Sequence, residues 1–240
     1  MLSDPSLATD PAYCPPVAAR RAVLTAPSAL PSVPGVVHRV AVLASGEGTN
    51  LQALLDDPVV GSWVVLVVSD RADARALDRA RKAGVRAEHV DPASFADRDA
   101  FDARVIDLLT ANEIDVVVLA GYMRIAGPEF VRAFEGRMLN VHPSLLPAFP
   151  GSRAVADALA WGARVTGVTV HFVDERVDHG PVVFQEPVEI RPDDDWDSLE
   201  ARVHEVEHRL LPAAVHALGE DRLVVEGRTV LVLEEIPAPR

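Results

Sequence analysis

Three stretches of this 240-residue chain carry residue types that do chemistry, at spacings that bring them together. The first is Leu139-Asn140-Val141-His142-Pro143-Ser144-Leu145-Leu146-Pro147. Residues two apart on a strand point to the same side, so Asn140 and His142 offer an amide donor and an imidazole to one substrate carbonyl. Pro143 and Pro147 stiffen the exit. The second runs Gly167-Val168-Thr169-Val170-His171-Phe172-Val173-Asp174-Glu175-Arg176-Val177-Asp178-His179-Gly180-Pro181. Asp178 falls in a turn between two β-rich runs, fixed by a Gly-Pro bend. Paired with His142, that carboxylate favours the charged imidazole and holds the ring.

The third stretch, Ser45-Gly46-Glu47-Gly48-Thr49-Asn50, stands between the first strand and the first helix. Glycines let the backbone approach an anion, and the helix start supplies free N–H groups and a positive dipole end. The Lys-Ser/Thr of a P-loop and a full Gly-x-Gly-x-x-Gly are both missing, which leaves a monophosphate cradle as the reading. Plainer readings exist for all three: a hydrogen-bonded strand-end histidine, an ordinary turn aspartate, and a tight turn capped by Thr49. A fourth pattern, His204-Glu205-Val206-Glu207-His208, fits the zincin signature His-Glu-x-x-His and names a different enzyme, a zinc hydrolase. No third histidine follows at the metzincin spacing.

The elements that must hold these residues are legible as an alternation. Strands are expected at 39–44, 64–69, 86–90, 115–120 and 137–141, with helices at 50–55, 72–83, 100–110 and 128–134 between them. That order implies right-handed crossovers and an α/β fold with a doubly wound, mostly parallel sheet. The Asn140 stretch then ends a strand at its carboxyl side, where such sheets place their sites. Beyond residue 150 follow a helix at 153–160, β-rich runs at 167–173 and 181–189, and a helix near 197–211. A carboxyl-terminal β-hairpin closes the chain about Glu226-Gly227-Arg228, with strands at 222–225 and 229–233. Trp161 and Trp196 read as packing residues.

Residues 1–37 hold seven of the nineteen prolines and only Asp4, Asp10, Arg20 and Arg21 as charges, the composition of a disordered tail. Prolines 5, 11, 15 and 16 interrupt any signal-peptide apolar stretch. One domain is expected from 38 to 240, and the whole net charge of −13 belongs to it. That charge argues against nucleic acid and anionic membranes as partners. Cys14 is the only cysteine, so no internal disulfide forms and a reducing cytoplasm is the natural compartment. The longest apolar runs, 63–69 and 116–120, are strand-sized rather than the roughly 20 residues of a membrane span.

Taken jointly, Asn-Val-His-Pro-Ser-Leu-Leu-Pro and the Gly-x-Thr-Val-His-Phe-Val…Asp-x-Gly-Pro run resemble the folate-dependent glycinamide ribonucleotide formyltransferase family from residue 38 to about 235. The resemblance implies a Rossmann-like formyltransferase fold and formyl transfer from 10-formyltetrahydrofolate, the co-substrate, to the amine of 5'-phosphoribosylglycinamide in purine biosynthesis. It implies no metal, small-molecule partners only, a monomer or homodimer, and a cytoplasmic enzyme. By position, Asn140, His142 and Asp178 match the catalytic residues. Gly48, Thr49 and Asn50 match the phosphate loop, and Glu207 matches the acid that holds the ribonucleotide. Arg98, Met123, Arg124, Ile125, Ala126, Asn140, Asp174, Glu175, Arg176, Val177 and Asp178 match folate-binding positions. Three positions depart from the family pattern: Arg153 and Ala148 replace a frequent histidine and a frequent basic residue, and His179 stands where glycine or alanine is common.

The chemistry agrees with those roles. An amine attacking a formamide carbon generates a tetrahedral oxyanion, which needs a hydrogen-bond donor and a cation beside the oxygen. Asn140 and a protonated His142 supply them, and Asp178 keeps the ring charged. The alternatives on the same fold are a formyltetrahydrofolate hydrolase, the methionyl-transfer-RNA formyltransferase, and a folate or nucleotide sensor without catalysis. The first carries a regulatory domain ahead of the core and the second a basic carboxyl-terminal domain, and neither is read in this chain.

Overall fold

Val40-Ala41-Val42-Leu43 has no polar side chain to turn toward water, and a strand of that kind is stable only with both faces covered. It forms β1 (Val40–Leu43), wholly buried, and pairs in parallel with β2 (Val64–Ser69) on one side. β3 (Arg86–His89) lies beyond β2 at the sheet edge. On the other side of β1 follow β4 (Val116–Leu119) and then β5 (Met138–His142), both parallel. The computed structural model describes residues 38–233. The expected tail, 1–37, and residues 234–240 lie outside the described residues.

Alternation along the strands separates two layers of core. Val40, Val42, Val118, Leu139 and Val141 pack against α1 (Thr49–Asp56), α3 (Arg75–Lys82), α6 (Ala154–Trp161) and α7 (Trp196–Gly219). Ala41, Leu43, Val117, Leu119 and Met138 pack under α4 (Arg98–Ala111) and α5 (Pro128–Ala133), where Phe101 and Phe130 are fully buried. The order β3-β2-β1-β4-β5 reverses its direction of travel between β1 and β4. In a doubly wound sheet a crevice opens outside the carboxyl ends of the strands at that reversal. The loops after β1, β4 and β5, which hold the residues of interest, all leave from that end.

Past β5 the sheet changes character. β6 (Val165–Phe172) runs antiparallel to β5, and β7 (Val182–Glu189) antiparallel to β6. The hairpin of β8 (Leu223–Glu226) and β9 (Thr229–Val232) joins through β9, which pairs with β7 in parallel at Val182 and Thr229. Among the described residues one sheet of nine strands results, mixed but mostly parallel.

Three local expectations are corrected. α7 continues to Gly219 instead of stopping at Leu211. A proline inside a helix costs ~3 kcal/mol, and buried Leu211, Ala214, Val215 and Leu218 offset it. A four-residue helix, α2 (Val60–Trp63), precedes β2 and is too short to carry a period. Trp161 and Trp196 are not core residues; they are 82% and 48% exposed, because each lies at a helix end beyond the packed stripe. Among the described residues no helix is long and apolar enough to cross a membrane.

Candidate active site

Leu139 and Val141 belong to the first core layer, so Asn140 and His142 face the other way, together, as their spacing predicts. On β6 the same rule sends Val168, Val170 and Phe172 into that layer and leaves Thr169 and His171 beside Asn140 and His142. The antiparallel register places Asn140 opposite His171 and His142 opposite Thr169. Four polar side chains thus share one patch of the sheet at the carboxyl end of β5. Thr169 is structural: its Oγ1 donates to the Ser144 carbonyl (2.7 Å) and accepts from the Leu146 N–H (3.1 Å), pinning the chain that leaves β5.

His171, to which the sequence reading gave no role, ties the group together. Its Nδ1 lies 2.7 Å from the Phe172 carbonyl and must donate to it. Nε2 is then the acceptor, and Asn140 Nδ2 donates to it at 3.1 Å. Burial holds this imidazole below the usual histidine range, only partly opposed by the Phe172 carbonyl, so the ring is neutral as the hydrogen bonds demand. The orientation of the Asn140 amide follows: one N–H is spent on His171 and one remains.

Asp178 arrives from the β6–β7 loop with φ +52°, a left-handed conformation that aspartate tolerates better than most residues. The loop closes where Gly180 passes the end of β6, and a Cβ there would sit 1.8 Å from the Phe172 carbonyl oxygen. Asp178 Oδ2 accepts the Gly151 N–H at 2.6 Å and lies 3.5 Å from His142 Nδ1; Oδ1 lies 3.9 Å from His171 Nε2. His142 Nε2 donates to the Phe149 carbonyl at 2.9 Å. Both nitrogens of His142 therefore lie beside oxygens, Nε2 at the Phe149 carbonyl and Nδ1 at the Asp178 carboxylate. The asparagine, histidine and aspartate singled out in the sequence meet within one buried cluster.

The glycine loop turns tightly from β1 into α1. Gly48, the cap of α1, has φ +71°, and a Cβ on it would lie 2.7 Å from Ala76 Cα. No side chain caps the helix, so its first N–H groups have no side-chain acceptor; the cap is Gly48, not Thr49. Asn50 is buried, and its Nδ2 donates to Glu207 Oε2 at 2.8 Å, joining α1 to α7. Asn50 Oδ1 is buried without a partner. Glu207 is 4% exposed, and burial raises its carboxyl above the usual range against the opposing Asn50 hydrogen bond.

Ser45 links this loop to the next. Its Oγ donates to Asp70 (2.6 Å) and accepts the Met123 N–H (2.9 Å), while its own N–H reaches the Gly121 carbonyl. The 123–126 segment alternates: Met123 and Ile125 are 66% and 58% exposed, Ala126 packs on the second core layer, and Arg124 lies 4.6 Å over the Phe101 ring. Asp102, buried on α4, accepts the Gly127 N–H at 2.7 Å and fixes the far end of the segment, with Arg98 alongside. Of the remaining expected folate contacts, Val177 is exposed, Glu175 pairs with Arg132 of α5 at 3.2 Å, and Asp174 accepts the Arg176 N–H at 3.0 Å. Met123, Ile125 and Val177 are apolar side chains left exposed.

Two other features fall apart or fall elsewhere. His204 and His208 stack face to face, 5.8 Å between centroids, and the acid near them is Glu207 rather than Glu205. Among the described residues no three His, Cys, Asp or Glu side chains are arranged to hold a metal ion. Arg153 turns outward toward Asp157 of its own helix (3.6 Å) and takes no part in the cluster. A cavity of about 820 Å³ between α1 and α7 touches Thr49 and His208 but none of Asn140, His142 or Asp178.

Comparison with known proteins shows the family and the fold. A family model described as formyl transferase matches residues 38–215. A Mycobacterium tuberculosis protein named phosphoribosylglycinamide formyltransferase is 47% identical over 198 residues, covering 82% of this chain and 92% of the relative. The Bos taurus trifunctional purine biosynthetic protein adenosine-3 is 44% identical over 202 residues, covering 82% of this chain and 20% of that larger protein. The crystal structure of glycinamide ribonucleotide transformylase 1 from Symbiobacterium toebii superposes with a TM-score of 0.80 at 49% identity, covering 82% of this chain and 94% of that one.

Proposed function

Since the chain belongs to the formyl transferase family, we propose that it is a phosphoribosylglycinamide formyltransferase of purine biosynthesis. It moves the formyl group of 10-formyltetrahydrofolate onto the amine of 5'-phosphoribosylglycinamide, in the cytoplasm and without a metal. The observation that carries the reading is the buried Asn140–His171–Asp178–His142 cluster at the carboxyl end of β5.

In the mechanism this supports, the amine nitrogen attacks the formyl carbon and the carbonyl oxygen becomes an oxyanion. The free N–H of Asn140 donates to that oxygen, and the His142 charge stabilises it. Asp178 supplies the counter-ion that keeps His142 charged. His142 Nε2, held on the Phe149 carbonyl in the free enzyme, turns to the oxyanion as the substrate complex tightens. The amine proton passes to the departing folate nitrogen, through His142 or a water, as the carbon–nitrogen bond to the folate breaks. Products are the formamide and tetrahydrofolate, with no covalent enzyme intermediate.

The substrates divide between two loops. The uncapped N–H groups at Gly48, Thr49 and Asn50 take the phosphate, and buried Glu207 accepts from sugar hydroxyls. The unpartnered Asn50 Oδ1 supports a ligand hydroxyl or amine beside Glu207, because a buried acceptor without a donor is costly. Met123, Arg124, Ile125 and Ala126, with Arg98 and the loop residues Asp174, Glu175, Arg176 and Val177, take the folate. The test is purified protein with 10-formyltetrahydrofolate, comparing the ribonucleotide amine with water as acceptor. Folate hydrolysis equally fast without the amine makes the protein a hydrolase and ends this reading.

A further inference from the structure

The catalytic loop is tied down by an element that lies outside every motif so far discussed. Between β6 and β7 the chain leaves the sheet, and Glu175, Arg176 and Val177 at its crest are exposed. Within the loop, His179 Nδ1 donates to Asp174 Oδ2 at 2.8 Å, closing the turn that carries Asp178. From outside, Arg228 at the tip of the β8–β9 hairpin donates through Nη2 to the main-chain carbonyl of His179 at 2.6 Å. Its Nη1 lies 3.3 Å from both ring nitrogens of His179, a position shared along the ring rather than a bond to one lone pair. The hairpin is held beside the loop by the pairing of Thr229 with Val182.

Arg228 thus grips the backbone immediately after Asp178, whose φ of +52° is the least favourable in the loop. Of the other contacts to the loop, Arg132 to Glu175 joins two exposed side chains and contributes little, and the Gly151 N–H holds the Asp178 side chain rather than its main chain. A charged donor on a main-chain carbonyl is the stronger restraint. We propose that Arg228 and His179 are positioning residues, through which the carboxyl-terminal hairpin holds the Asp178 loop in its folate-accepting arrangement before the folate binds. The role of the loop in folate binding rests on the function proposed above; the restraint itself does not.

The experiment uses the full chain and the variants R228Q and H179G. Hydrogen exchange of the peptide spanning residues 174–180 in the free protein is expected to quicken about tenfold or more in each, with β6 and β7 unchanged, as befits loss of a hydrogen bond to a charged group. In steady state the KM for 10-formyltetrahydrofolate rises about five- to tenfold, while the KM for the ribonucleotide stays within about twofold, since Glu207 and Gly48 lie on other elements. Exchange within about twofold of the parent in both variants overturns the proposal. Faster exchange with an unmoved folate KM overturns its functional half. Exchange is read without substrate, so failure of the formyltransferase reading leaves that arm standing. H179G leaves the hairpin intact and carries the test alone if R228Q does not fold.

Discussion

Replacing Asp178 by asparagine removes one charge from the buried cluster and almost nothing else. The φ of +52° suits asparagine at least as well as aspartate, and the amide keeps an oxygen for the Gly151 N–H. What is lost is the counter-ion 3.5 Å from His142 Nδ1, in a pair with side chains 6% and 10% exposed. Coulomb's law at an effective dielectric constant of ~20 gives about 5 kcal/mol for that pair before desolvation. Hydrogen bonds to charged groups are worth about 1.5–3 kcal/mol net, and the lower range governs because the variant also avoids burying the second charge. We expect kcat to fall about 100-fold, with both KM values within about threefold, since neither substrate is held by Asp178 alone. Steady-state rates with each substrate varied in turn, beside a thermal melt to establish folding, decide it. A folded variant whose kcat is within about threefold of the parent removes Asp178 from the mechanism and makes it a loop anchor for Gly151.

Glu207→Gln is expected to separate stability from function. Burial raises this carboxyl in the folded state, so its contribution to stability is full below the unfolded value and is lost as pH rises through the folded one; the glutamine variant should melt above the parent at about pH 8, by a margin that shrinks toward about pH 4, while the ribonucleotide KM rises about tenfold. A margin independent of pH refutes the assignment. His171→Phe leaves the Asn140 N–H without its acceptor and should cost about 10- to 100-fold in kcat/KM, whereas His171→Gln, which can accept, should recover part of it; equal losses refute the orienting role. Gly48→Ala combines a positive φ with a 2.7 Å approach to Ala76 and should raise the ribonucleotide KM more than about tenfold with the folate KM unmoved, measurable in the same assays.

Much of this was legible in the residues themselves, for identifiable reasons. β1 and β4 are apolar throughout, and β2 as far as Ser69, because both their faces are buried, and such runs between helical periods leave few alternatives to a parallel sheet. Asn140 and His142 were recognisable as a pair because strand geometry fixes which way two residues two apart must point. His171 was not, since its importance depends on the β5–β6 register, which sets it opposite Asn140 across 31 residues of chain. The antiparallel extension of the sheet was hidden for the same reason: β6 and β7 look locally like any β-rich run, and only their partners decide direction. Arg228 gave no signal at all beyond marking a turn. The outward position of Trp161 was misread because large aromatics are usually buried, and local sequence does not say where the packed stripe of α6 ends.

The strand order has a further consequence, unrelated to the reaction. A nine-stranded open sheet exposes two rows of unpaired backbone groups, and such rows are templates on which other chains polymerise. Here the edges are β3 and β8, each only four residues long. β3 carries Arg86 and Glu88, bonded to each other at 2.8 Å across the edge, and β8 ends in Glu226. Among the described residues a crowding neighbour therefore meets short borders, charged along β3 and at the end of β8, each offering only four residues for a second chain to pair with.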